Sequence, residues 1–200
     1  MRWIRGAIRV WLGCLAFVPT CSAQTSGVPA ISEFAVGERA KFHLHRSLGP
    51  ENLAFGALGA GIQTWRQRPD GWGQDAEGFG QRYGMRIGRS VISNGVAFGV
   101  GAALGEDPRY RPSGLHGFGP RMKYALTRSW VHHDRNGKMM PAYSRYAGTV
   151  AANVLTREYF PPGDDRWRDV ARRTGFQYGW HIGWTILREF APDLRKKLGR

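Results

Sequence analysis

Cysteine is nearly missing from this chain. There are two, Cys14 and Cys21, and both fall in the first 23 residues. Those residues read as a secretory leader: Arg2, Arg5 and Arg9 form a basic start, Val10 to Val18 an apolar run, and Pro19 to Ala23 a small-residue exit with cleavage expected after Ala23. Loss of that leader would remove every thiol. A disulfide scaffold, a thiol nucleophile and a Cys-ligated metal site are then excluded. Acid is also scarce, with 15 Asp and Glu against 29 Lys and Arg and a formal charge of +14. The leader holds three arginines and no acid, so +11 stays with the mature chain. On an exported protein this excess points to a membrane surface or an envelope polyanion, such as lipid head groups or acidic wall polymers, and not to nucleic acid. No stretch reaches about 18 uninterrupted apolar residues, which argues against an ordinary spanning helix. Motifs such as His-Glu-x-x-His are lacking as well, and no cofactor is expected.

Glycine, by contrast, is abundant, with 28 residues, and much of it falls at helical spacing. From Arg82 to Arg111, a helical period of about 100° per residue gathers Gly84, Gly88, Gly95, Gly99 and Ala102 in one narrow arc. Arg82, Arg86, Arg89 and Ser93 collect on the far side. The spacing predicts a helix with a flat glycine seam, ended by Gly105 and Pro108. Ser144, Gly148 and Ala152 repeat the pattern, as do Gly175, Gly179 and Gly183, opposite a polar arc of Gln177, His181, Thr185 and Arg188. Small residues every fourth position let helix backbones approach closely. The expected packing seam is therefore Gly84, Gly88, Gly95, Gly99, Gly148, Gly175, Gly179 and Gly183, with further copies of the chain as a second way of filling it.

The rest of the chain fits one domain. Residues 1–23 form the leader, 24–36 a flexible segment and 37–200 a single helical domain. Residues 37–48 suit a lead-in helix or a short strand, and Gly49-Pro50 breaks the chain before a helix over 51–66. Gln67 to Gly80 has turn chemistry. Helices are expected over 121–133, 142–159 and 166–190. The fold class is all-α, a compact bundle of about five to six helices. An outer-membrane β-barrel is the alternative, because Phe176, Tyr178, Trp180, Ile182 and Trp184 alternate with Gln177, Gly179, His181 and Gly183.

Candidates for chemistry are few. Glu106, Asp107, Arg109 and Tyr110 put two carboxylates beside an arginine, a set that could bind a ligand or act as acid and base; the bland alternative is an ion-paired helix exit. His132, His133 and Asp134 are metal-ligand types without a specific spacing. The combination of Glu106-Asp107-Pro108-Arg109-Tyr110, Trp72-Gly73-Gln74 leading to Gly84, Tyr159-Phe160-Pro161 and Glu189-Phe190-Ala191-Pro192-Asp193 resembles an uncharacterised family of exported bacterial proteins, over most of Phe34 to Leu198. The resemblance implies export to the periplasm or outer membrane and a helical fold, and brings no activity or catalytic residue. The function expected is a non-catalytic envelope protein associated with a membrane surface or assembled through its glycine seams. The alternative is a small exported hydrolase using Glu106 and Asp107 in a cleft covered by the 67–80 loop.

Overall fold

A computed structural model describes residues 35–199; the expected leader and most of the flexible segment lie outside them. The described residues form six α-helices: α1 (Val36–Leu48), α2 (Pro50–Trp65), α3 (Ala76–Leu104), α4 (Phe118–Trp130), α5 (Tyr143–Leu155) and α6 (Trp167–Leu198). Between α4 and α5 lies a hairpin of β1 (Val131–His133) and β2 (Met139–Pro141), antiparallel with His132 opposite Met140. The fold is all-α, and the residues whose alternation suggested a barrel strand lie inside α6.

Local chemistry explains the boundaries. Pro50 occupies the first turn of α2, where its missing N–H costs nothing. Asp75 caps α3 by accepting the Gly78 N–H at 2.9 Å. At the other end Gly105 takes a left-handed φ of 68°, which lets the Glu106 N–H reach the Gly101 carbonyl at 2.9 Å. The helix expected over 121–133 stops at Trp130, because Val131 to His133 pair with β2 instead.

Helix α3 is the spine. Arg39 and His43 of α1 meet Gly101 and Asn94 of α3, so the two helices run antiparallel. Ser144 and Gly148 of α5 meet Gly101 and Ser93 in the same sense. α5 and α3 share the most extensive helix contact, and α6 packs on α4 and α5. Asn153 of α5 donates to Gln177 of α6 at 3.2 Å, with Arg89 of α3 reaching both.

Among the described residues, only one of the expected seam glycines packs against another helix. A Cβ on Gly148 would overlap the Ser93 carbonyl oxygen and lie 3.3 Å from the Ala97 Cβ. Around Gly84, Gly88, Gly95, Gly99, Gly175, Gly179 and Gly183 a Cβ would meet nothing within 4 Å. The arcs lie on the opposite sides from those expected. Arg82, Arg89 and Gln177 turn inward to hydrogen-bond partners, Thr185 is buried while bonding only its own helix at the His181 carbonyl, and that rotation carries the glycines outward.

The interior follows the same inversion. Among the described residues its buried hydrophobic members are five alanines and Val170, whereas the largest fully buried side chains include Arg82, His132, Glu106, Glu189 and Asn153. Large apolar side chains lie outside instead: Trp65 is 77% exposed, Phe176 78% and Trp180 58%. This reverses the distribution of a water-soluble domain. The hydrogen bonds of polar side chains hold the helices together where a Leu-rich core would otherwise do so.

Candidate functional site

The charged corner at the end of α3 is fully assembled, and it is closed. Glu106 is 0% exposed and Asp107 5%. The Glu106 carboxylate accepts the Ser144 N–H at 2.9 Å and the Ser144 hydroxyl at 2.6 Å. Ser144 lies in the first turn of α5, where free N–H groups and the helix dipole favour an anion. His132 supplies the third partner through Nδ1. Burial pushes the Glu106 carboxyl up, but these hydrogen bonds outweigh it and hold it below the ordinary carboxylate range.

His132 in turn is held from both sides. Its Nε2 lies 2.6 Å from Nη2 of Arg145, which can only donate. Nε2 is therefore the acceptor, and the Nδ1 proton points at Glu106. Burial, with the push of Arg145 against the pull of Glu106, lowers the imidazole to about 4. The result is a carboxylate–imidazole–guanidinium chain, with a neutral histidine between an anion and a cation. Its outline is that of a catalytic triad, but its chemistry is not. Arg145 occupies the position a nucleophile would need, and the Ser144 hydroxyl is spent on Glu106.

Asp107 belongs to a different set. Arg109 grips it with Nε and Nη2, both at 2.9 Å, and with its backbone N–H at 3.0 Å, while Arg111 stands 3.5 Å away. The Asp107 N–H donates to the His133 carbonyl at 2.8 Å and so ties the corner to the hairpin. Tyr110 points elsewhere again, donating to Glu189 of α6 at 2.6 Å. Ser113 and Arg121 also donate to Glu189, and Arg121 reaches on to Asp193. The four candidate residues thus tie the end of α3 to three different elements, and their functional groups point to different partners.

The other candidates are likewise placed apart. His132 faces Glu106, and Asp134 caps the hairpin turn by accepting the Asn136 and Lys138 N–H groups at 2.8 Å. Among the described residues no group of three His, Cys, Asp or Glu is positioned to hold a metal ion. The 67–80 loop does not cover the corner. Its carbonyls at Arg68, Pro69, Trp72 and Gly73 all accept from the Arg82 guanidinium. Arg82 precedes the end of α3 by 22 residues, about 33 Å along the helix. A hydrolytic cleft made from that loop and Glu106 is ruled out by distance.

Three roles that the sequence does not announce complete the corner: His132, a metal-ligand candidate, is the partner of Glu106, Ser144, a seam position, is its donor, and Arg145 is the outer cation. Four of the sequence motifs meet in pairs. Trp72 stacks on Phe160 with ring centroids 5.7 Å apart, and Tyr110 reaches Glu189. No protein-family model matches the chain, and neither does a curated protein or a solved structure.

Proposed function

We propose that this is a non-catalytic cell-envelope protein whose helical body is embedded in or seated on a lipid membrane through its apolar outer surface. The observation that carries this reading is the inversion of the interior. Burial of Glu106, Glu189, Arg82 and Asn153 together, with Phe55, Leu58, Trp65, Phe176 and Trp180 left outside, is unfavourable in water. It becomes favourable where lipid contacts the outside, because polar groups then gain by facing one another. α3 supports the same reading: it is long and apolar enough to cross a membrane, yet only 11% of its apolar window is buried inside the molecule. Its sequence lacks an uninterrupted apolar run because Arg82, Arg86, Arg89 and Ser93 interrupt it, and Arg82 and Arg89 are turned inward.

Assembly with further copies is a second reading, favoured by the outward glycines of α3 and α6. A bare helix face admits a neighbouring backbone as readily as a lipid chain. The hydrolase reading has no comparable support, since Glu106 and Asp107 are closed off from solvent and from each other's partners.

Membrane fractionation tests the proposal. After alkaline carbonate washing the protein should remain in the membrane pellet and need detergent for extraction. Recovery in the wash as a monodisperse, detergent-free monomer would refute it.

A further inference from the structure

A cleft of about 260 Å³ opens at the end of the bundle where α2 finishes and α3 and α6 begin. Two tied-down pieces of chain form its walls. One is the loop after α2, whose carbonyls at Arg68, Pro69, Trp72 and Gly73 converge on the Arg82 guanidinium. The other is the turn over 161–165 with the first turns of α6. Arg157 donates to the Asp165 carbonyl at 2.6 Å and Arg173 to the Asp164 carbonyl at 2.9 Å, so this turn is held from both sides. The walls meet where Trp72 stacks on Phe160, and where a Cβ on Gly71 would fall 2.5 Å from the Pro161 Cβ. A ligand between them would find its site already formed, which lowers the cost of binding.

The cleft carries both charges in equal number, Arg68, Arg168 and Arg172 against Asp70, Asp164 and Asp169. They are not matched pair by pair. Arg172 serves two of the acids, lying 3.1 Å from Oδ1 of Asp169 and 3.7 Å from Asp164. Arg68 meets Asp70 only at 3.8 Å, with the two side chains 73% and 78% exposed, a pair of little strength. Among the described residues Arg168, in the first turn of α6, has no acid within ion-pair distance. Asp169 beside it is 3% exposed and forms part of the floor, and its Oδ2 accepts no hydrogen bond there. A buried carboxylate oxygen without a donor is costly. The floor therefore lacks a donor, and the rim offers a guanidinium without an acid.

We propose that this cleft binds a phosphoethanolamine group, its ammonium on Asp169 and its phosphate on Arg168 and Arg68. A lining with equal numbers of both charges has no preference for a net anion, and suits a ligand that carries both charges itself. The ammonium brings N–H donors for Asp169 and Asp164, and guanidinium forks suit phosphate oxygens. Such a group exists free or as the headgroup of a phospholipid. Trp65, Tyr159 and Trp167 are exposed at the same end of the bundle, and rings of this kind settle at headgroup level. The lipid as source rests on the membrane reading above; the chemistry of the cleft does not.

The test uses the protein purified in a neutral detergent and titrated by calorimetry with phosphoethanolamine and phosphocholine, each free and as its dihexanoyl phosphatidyl lipid. Saturable binding of an ethanolamine probe is expected. Its choline counterpart, with no N–H to donate, should bind about tenfold or more weakly. Tighter binding of the ethanolamine lipid than of free phosphoethanolamine would identify a headgroup, and equal or weaker binding the free compound. Asp169→Asn should remove most of the preference for ethanolamine over choline, which a merely structural role would leave in place. Arg168→Gln should weaken both probes alike, by about tenfold. Because Arg168 makes no ion pair, that variant should keep the wild-type circular dichroism spectrum and unfolding midpoint. Lys123→Gln, exposed on α4, should change nothing. Retention in carbonate-washed membranes without ethanolamine binding would overturn the cleft alone; binding by a protein recovered in the wash would overturn the membrane reading and leave the free compound as ligand. Absence of saturable binding to both ethanolamine probes, equal binding of the choline probes, or binding insensitive to both substitutions would overturn the proposal.

Discussion

Alanine at Gly148 and alanine at Gly179 separate the contact that holds the spine from the face that holds nothing. Both positions lie inside helices, so Gly→Ala brings each the same gain in helix propensity, about 1 kcal/mol. That term cancels when the two variants are compared, and the remainder is steric. At Gly148 the new methyl overlaps the Ser93 carbonyl oxygen, with the carbonyl carbon at 3.2 Å and the Ala97 Cβ at 3.3 Å. The obstacle is helix backbone, which cannot rotate aside as a side chain would, so α5 must move off α3. Overpacking of this kind costs about 1–3 kcal/mol. At Gly179 the methyl meets nothing within 4 Å. Gly148→Ala should therefore be less stable than Gly179→Ala by about 1–3 kcal/mol. For a chain of this size that is a difference of roughly 2–12 °C in unfolding midpoint. Thermal unfolding in a neutral detergent, followed by circular dichroism, measures it. Equal midpoints, or a less stable Gly179→Ala, would refute the assignment of inner and outer faces.

Other consequences are equally direct. Arg82→Leu strips the donor from four loop carbonyls at once and should cost at least about 3 kcal/mol; limited proteolysis should then cut within 67–75, and resistance equal to wild type would contradict the role given to Arg82. Tyr110→Phe removes the 2.6 Å bond to Glu189 and should cost about 1.5–3 kcal/mol by denaturant titration, as for hydrogen bonds to charged groups. The pH profile follows from His132 and His181, lowered to about 4 and about 3 in the folded protein and protonating near 6.5 when unfolded. The unfolded chain then binds more protons between those values, so stability is full above about pH 6.5 and falls as the pH drops toward 4. His132→Gln should flatten part of that slope in unfolding curves recorded between pH 7 and 4, and an unchanged slope would count against a neutral buried imidazole.

The helices were largely legible because their punctuation is local. Gly49-Pro50 and Gly105 with Pro108 each end an element by their own backbone chemistry, whereas the helix expected over 142–159 stops at Leu155, short of Pro161. The hairpin was not legible as strands: Asp134 to Gly137 marks the turn, but Val131 to His133 carry no period of their own and pair only because β2 returns beside them. Helical periodicity groups Gly175, Gly179 and Gly183 on one arc and Gln177 and Thr185 on another, without stating which arc meets protein. The usual rule that polar arcs face water gave the wrong answer here. Gly148 escaped the error because it lies on the same arc as Ser144 and Ala152, which are buried with it. The charged corner was visible as a cluster, but its partners were not. His132 and Ser144 lie 26 and 38 residues from Glu106, and nothing near Glu106 in the chain points to them.

The most direct test of the inverted body is the environment of an outward side chain on α6. A spin label on Phe176→Cys, with both natural cysteines replaced by alanine, can be studied in liposomes by collision with oxygen, which concentrates in lipid, and with a water-soluble nickel chelate. Phe176 is 78% exposed in the isolated chain, so the label is free to report whatever surrounds it. A lipid-seated surface predicts frequent collision with oxygen and little with nickel. A label reached freely by nickel and poorly by oxygen would place that face in water and contradict the account.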